Sequence, residues 1–523
     1  MKSFLPIVLL FFCFYSEASS LVKIYPLGEK RYKMKPLTKQ ELSLNLARLE
    51  SAFFIIEFNE GFDFKKHSPV FDIKTDGESP FDIELHWLLG HQIGKEFIED
   101  IVIPVKQENI FLFPKENFPS KKLLLVEVKG KEQSPVKKWA GDLKLVDLNK
   151  NQEIVIPLKV HLHNFILPSQ FQMKTSFGFA PWTVYRKHKI AQTEEDDLYA
   201  KYFKLAREHR IDLHKIYLEF SKREDNILDS AVNTAHSFNN IWKEASGRED
   251  SSMQMQITDL PVPPEMKQVN KISENFWRQL DREVKRPKNF FVYYDDEPSA
   301  EQIKMMVPVL KKIKEWAPHL NFMLTSHWSR ELDGLIDIWC PNLFSWNFPK
   351  YPSPKKYEEL KKNNNELWTY VSCMSHGCEK KEVTGLPDLI INTRASTVFS
   401  FAWVADAVGA TGILYYDTVR GYLETDFAPW RDPKIFNGLG EGNLFYPCPP
   451  NVCGTRSTVF ASLRLKILRA SLESLEIVKA ASQKDKSIAK FKEAVARSPR
   501  SWAREINDYE TVKQKALEIL DAN

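Results

Sequence analysis

The sequence predicts a (β/α)8 TIM-like barrel preceded by an all-β sandwich domain and followed by C-terminal helices. From about residue 169, apolar runs of strand composition alternate with helically spaced segments eight times, the pattern of a β/α barrel. Before that point, alternating apolar and polar residues are broken only by turn-forming clusters, as in a sandwich. The run Phe290-Phe-Val-Tyr-Tyr-Asp-Asp-Glu-Pro298 then gives a strand that ends in three carboxylates and a proline, which cannot continue a ladder. Acids at the C-terminal end of a barrel strand stand where such enzymes keep their chemistry.

Residues 1–20 have the build of a secretory signal: Lys2, an apolar stretch from Phe4 to Tyr15, and small residues around Ala18 and Ser20. The stretch is too short for a comfortable membrane span. Cys13 follows Phe-Phe rather than small residues, so no lipid anchor is expected. A secreted or periplasmic protein with no integral membrane segment is the expectation. Residues 21–168 form the β domain, with Leu123–Val128 and the alternation Ile154, Ile156, Leu158, Val160, Leu162 as its clearest strands. Residues 169–480 form the barrel. Its strands fall at Gln172–Phe179, Leu213–Phe220, Met253–Leu260, Phe290–Asp295, Asn321–Thr325, Gly334–Trp339, Leu367–Ser372 and Thr411–Tyr416. Met306, Val307, Leu310, Ile313 and Trp316 mark the helix after the acidic strand, with Ser299 placed to cap it. Val459–Val478 reads as a helix and residues 481–523 as a helical extension, with mixed charges suited to a solvated face.

The 73 basic and 69 acidic residues are interspersed, so the formal charge of +4 leaves no footprint for nucleic acid. Apart from Cys13, the chain has Cys340, Cys373, Cys378, Cys448 and Cys453. In an exported protein Cys373–Cys378 and Cys448–Cys453 are disulfide candidates, although Cys340 can compete for Cys373. The two C-x4-C pairs with His376 also suit zinc, but the spacing is loose and export favours oxidation. No catalytic metal and no cofactor are expected.

Several ordered segments resemble glycoside hydrolase family 123 and the larger family that shares its catalytic region. Tyr294-Asp-Asp-Glu-Pro298 is similar to its Asp-Glu-Pro strand end, and Asp333-Gly-Leu-Ile-Asp-Ile-Trp-Cys-Pro341 to its Asp-Ile-Trp-x-Pro strand. Leu367-Trp-Thr-Tyr-Val-Ser-Cys373, Arg394 with Trp403, and Gly412-Ile-Leu-Tyr-Tyr416 come next in the family's order. Asn437-Gly-Leu-Gly-Glu-Gly-Asn-Leu-Phe-Tyr-Pro447 and Ser462-Leu-Arg-Leu465 complete the series. The chain departs at Tyr416, where the family has Trp, and at Ser474 and Leu475, where it has Asp-Tyr, which marks a divergent member.

The resemblance implies an exported β-N-acetylgalactosaminidase-like glycosidase whose substrate's own 2-acetamido group is the nucleophile. Glu297 would protonate the leaving oxygen, and Asp296 would orient the acetamide and stabilise the oxazolinium intermediate. Two adjacent acids suit this better than a pair set across the sugar, about 5–9.5 Å apart. Asp295 reads as a structural neighbour. Tyr415, Tyr416 and Asp417 end the last strand at the barrel mouth, where a tyrosine hydroxyl can hold the acetamide oxygen or fill the barrel. Trp346, Trp368 and Tyr370 are candidates for a sugar platform or for core, and His327 for a hydroxyl contact. Arg394 reads as a helix brace. A non-catalytic carbohydrate-binding envelope protein, or a glycosidase acting on another sugar, stays open at this point. A glycan is the expected partner, and the sequence leaves the oligomeric state unknown.

Overall fold

The computed structural model describes residues 22–26, 42–58, 71–75, 77–105, 122–134, 136–147, 152–214, 256–257, 271–283, 291–346, 351–373, 385–425, 428–435, 438–448 and 455–522. The signal-like residues 1–20 lie outside that set.

Among the described residues nine strands come first: β1 Val22–Pro26, β2 Leu42–Arg48, β3 Ser51–Phe58, β4 Phe71–Thr75, β5 Phe81–Ile93, β6 Glu96–Pro104, β7 Lys122–Gly130, β8 Lys137–Asp147 and β9 Gln152–Ile166. They form two sheets. One has the order β2-β9-β8-β4; the other runs β1-β3-β7-β5-β6 and continues into Val459–Ser462 and Phe445–Pro447. Alternation sends Phe54, Ile56, Leu124 and Val126 towards Trp139, Leu143, Ile156 and Leu158 of the facing sheet, which closes the sandwich core. The opposite residues Phe53, Ile55, Leu123 and Leu125 join a second core shared with the barrel helices. Burial on both faces explains why Leu123-Leu-Leu-Val126 reads as an unbroken apolar run. The sandwich is therefore not built from residues 21–168 alone: it takes two strands from later in the chain. One of them, Val459–Ser462, occupies the start of the expected helix Val459–Val478.

Among the described residues eight parallel strands come next: β10 Lys174–Gly178, β11 Leu213–His214, β12 Gln256–Ile257, β13 Phe291–Asp295, β14 Asn321–Leu324, β15 Ile338–Trp339, β16 Glu366–Tyr370 and β17 Gly412–Tyr415. They pair in the order β11-β10-β17-β16-β15-β14-β13-β12, all parallel. This is the order of a β/α barrel cut open once. Among the described residues the closing pair, β11 with β12, is not made, so the closure expected of a (β/α)8 barrel is not seen in the described strands. Both edge strands are only two residues long, and residues 215–255 between them lie outside the described set. Gly334 and Leu335, expected from the sequence to belong to the sixth barrel strand, lie in a turn, and only Ile338–Trp339 is strand.

Side chains alternate across this sheet. Phe291, Tyr293, Met323, Ile338, Cys340, Trp368, Tyr370 and Leu414 form the inner cluster. Val292, Phe322, Leu324, Leu367, Ile413 and Tyr415 face the helices.

Those helices are α1 Pro181–His188, α2 Glu195–Glu208, α3 Lys271–Glu283, α4 Ala300–Trp316, α5 Pro354–Lys362, α6 Ala395–Ala407, α7 Leu463–Lys484, α8 Ile488–Val495 and α9 Ile506–Asp521. Helix α4 opens on a capping box in which Ser299 and Gln302 bond each other's backbone. The charges of α7 are not on a solvated face as expected. Arg464 pairs with Asp100 at 2.9 Å, both side chains 0% exposed. Lys466 and Arg469 meet Glu127 of β7 at 2.6 and 2.8 Å, and Glu473 takes Arg469 and Arg210 at 3.1 and 2.9 Å. Each of these buried charges has a partner on the β domain or beside it, so burial is tolerated.

Candidate active site

The site starts where β13 loses its regular pairing. Tyr293 sits opposite Met323 and Asp295 opposite Leu324, so Tyr294 is an extra residue that bulges the strand. A bulge re-aims the residues after it, and here it turns Asp296 and Glu297 out at the C-terminal end of the sheet, where both are exposed. Glu297 has φ 45°, in the left-handed region that non-glycine residues rarely occupy. Its N–H is secured by donation to Thr325 Oγ1 at 3.0 Å.

Each carboxylate has its own hydroxyl donors. Asp296 Oδ1 accepts from Tyr293 at 2.5 Å and from Thr325 at 2.8 Å, while its own N–H donates to Asp295 Oδ1 at 2.9 Å. Tyr370, at the end of β16, donates its hydroxyl to Glu297 Oε1. Burial, and then the neighbouring carboxylates Asp296 and Glu297, push the phenols of Tyr293 and Tyr370 well above their ordinary value. Both therefore stay protonated donors. Cys340 is a buried free thiol in the inner cluster, and burial followed by the charge of Asp296 pushes it up as well. It is not a nucleophile in this state.

Three further polar atoms around the strand ends have no hydrogen-bond partner among the described residues: Asn342 Nδ2, Ser372 Oγ and Tyr416 OH, all buried. Asn342 bridges Tyr370 through the backbone, and its side-chain oxygen caps Phe344 N–H at 2.9 Å. Tyr416 OH lies so close to Gly442 that a Cβ there would come within 2.3 Å of it. Buried polar atoms without partners cost free energy, and a ligand's polar groups that reach them recover it.

The remaining expected residues fall elsewhere. Trp368 is 1% exposed, edge-on to Phe291, and donates to Glu366 at 2.9 Å, one layer below Tyr370. Its ring has no open face for a sugar. Trp346 stacks on Tyr357 with centroids 5.1 Å apart and is buried. His327 is fully engaged, with Nδ1 at 2.8 Å from Tyr357 OH, Nε2 at 2.8 Å from Ser345 Oγ, and its ring stacked on Tyr351. Tyr415 faces the helix layer and its hydroxyl accepts Gly442 N–H at 2.7 Å; Asp417 accepts Val419 N–H at 2.8 Å as a turn brace. Arg394 meets Glu505 at 3.6 Å at the start of α6. Cys373 and Cys448 are buried and each is disulfide-bonded, whereas Cys378 and Cys453 lie outside the described residues, so the pairing remains an expectation. Sequence reasoning misses Tyr293, Thr325, Asn342 and Ser372. The period of two that puts Tyr293 on the same side as Phe291 is the available signal for the first of them.

No protein-family model matches this chain, and no curated protein does so either. Among solved structures, a family 123 glycoside hydrolase from Clostridium perfringens, studied for glycolipid glycan hydrolysis, shares the fold with a TM-score of 0.62. The match covers 93% of each chain at 12% identity. EndoBT-3987 of Bacteroides thetaiotamicron, in complex with Man9GlcNAc2Asn, overlaps 64% of this chain and 86% of its own at 8% identity, with a TM-score of 0.21 that carries no argument. The first likeness is distant and establishes a common architecture across nearly the whole chain. No described helix is long and apolar enough to cross a membrane.

Proposed function

We propose that this chain is an exported glycoside hydrolase that cleaves β-linked N-acetylgalactosamine-type sugars, with the substrate's 2-acetamido oxygen as nucleophile. The observation that carries the reading is the pair Asp296 and Glu297, adjacent in sequence yet held by separate hydroxyl donors. The fold shared with a family 123 hydrolase supports it. In this mechanism the acetamide oxygen attacks the anomeric carbon as the glycosidic bond breaks, and Glu297 gives its proton to the leaving oxygen. Asp296 accepts the acetamide N–H and offsets the positive charge of the oxazolinium ion. Water then opens that ion and returns a proton to Glu297, so configuration is retained. The hydroxyl of Tyr416 has no hydrogen-bond partner among the described residues and is a candidate donor for the acetamide oxygen, whereas that of Tyr415 accepts the Gly442 N–H.

A panel of nitrophenyl glycosides, with and without the 2-acetamido group, tests this directly. Turnover should be confined to the acetamido sugars and inhibited by a thiazoline analogue of the cyclised intermediate. Asp296→Asn should lose most activity and bind the thiazoline more weakly. Glu297→Gln should lose orders of magnitude on poor leaving groups and less on activated ones. Cleavage of plain β-galactosides as well, or indifference to the thiazoline, would sink the substrate-assisted mechanism. Activity on no glycoside of the panel would favour a carbohydrate-binding protein.

A further inference from the structure

Within the β domain, β9 carries His161 and His163 at i and i+2, so both imidazoles leave the same face of the four-stranded sheet. Their rings lie 3.9 Å apart between centroids. The last helix, α9, brings Asp521 onto that face, with Oδ2 at 2.6 Å from His163 Nδ1. Ligand atoms of the three residues all fall within 4.8 Å of one another. Asp521 is already fixed, because its Oδ1 accepts the Asn164 N–H at 2.8 Å, and Asn45 Oδ1 stands 3.4 Å from His163 Nε2. Two imidazoles and an anchored carboxylate, one of the imidazoles buried, make the donor set that zinc and its neighbours prefer.

We infer that His161, His163 and Asp521 bind one divalent transition-metal ion that clasps the C-terminal helix to the sandwich. In a tetrahedral site with bonds of about 2.0–2.2 Å, ligand atoms lie about 3.3 Å apart. The ion thus replaces the proton between His163 and Asp521, and His161 turns in from its half-exposed position to complete the set. Lys138 faces His161 across the β8–β9 pair, but it is exposed and its ammonium can swing into solvent. Another cluster, Glu84 with His86 and Glu127, differs in this respect, since Lys466 already sits on Glu127 at 2.6 Å. The clasp is remote from Asp296 and Glu297 in chain and strand position and is independent of the glycosidase proposal.

The test uses the full mature chain without a histidine tag, stripped with chelator and titrated with zinc chloride and, separately, cobalt chloride. Wild type should take up one zinc per chain in a His161-dependent manner, gain thermal stability with it, and show the visible absorption of four-coordinate cobalt. His161→Ala and the gentler His161→Gln change a half-exposed residue and should fold, yet each should weaken this uptake at least tenfold and abolish the stabilisation. Asp521→Asn, which can keep the bond to Asn164, should do the same. No uptake by the wild type at micromolar zinc, or uptake equal in wild type and both His161 variants, overturns the site.

Discussion

Glu297 holds a left-handed backbone that costs an L-residue about 1–3 kcal/mol, and the bond from its N–H to Thr325 together with Tyr370 on its carboxylate fixes it there. If Glu297 is the acid of the proposed mechanism, Tyr370→Phe should therefore leave the fold intact and lower kcat by about ten- to a hundredfold, because a misplaced acid loses its line to the leaving oxygen. Steady-state kinetics check this, and a kcat unchanged within twofold would remove Tyr370 from the positioning role. The two acids are legible in the sequence because carboxylates and a proline end an apolar run. Their donors are not, because a hydroxyl's reach depends on register. Trp368 shows why: it is two residues from Tyr370 on the same strand and face, yet one layer deeper, and composition does not distinguish the two depths.

The helix α7 teaches the reverse lesson. Its Arg, Lys and Glu residues have the pattern of a solvated surface, and sequence alone carries no sign that the partners Asp100 and Glu127 arrive from strands more than 300 residues earlier. Burial by itself would raise the carboxyl of Glu127, but Lys466 and Arg469 together hold it well below the ordinary range. Glu127→Gln should destabilise the protein by about 3–5 kcal/mol near neutral pH, since it takes the carboxylate from buried Lys466 and leaves Arg469 with Glu473 alone. A carboxyl depressed on folding contributes stability above its unfolded pKa and loses it as pH falls through the folded value. The gap between wild type and variant should accordingly shrink below about pH 4. Urea unfolding at several pH values measures it, and a neutral-pH difference under about 1 kcal/mol would show that the network is not holding the helix.

At the scale of the whole molecule, the sandwich, the eight parallel strands and the helical end are readable from periodicity, because each element buries one face with its own repeat. A long-range feature escapes it: the return of Phe445–Pro447 and Val459–Ser462 to the first sheet. Since α7 packs on both layers and that hairpin belongs to the sandwich, heat or denaturant should produce one cooperative transition. Far-ultraviolet circular dichroism and tryptophan fluorescence should report the same midpoint, and two separated midpoints would contradict it. The hairpin also sets a timetable for the growing polypeptide. Val459–Ser462 pairs with the outer edge of β6, so a chain synthesised from its N-terminus makes that edge some 350 residues before its cover exists. Throughout that interval the nascent protein carries an open, apolar sheet margin, the kind of surface to which holdase chaperones bind and along which unfinished chains stick to each other.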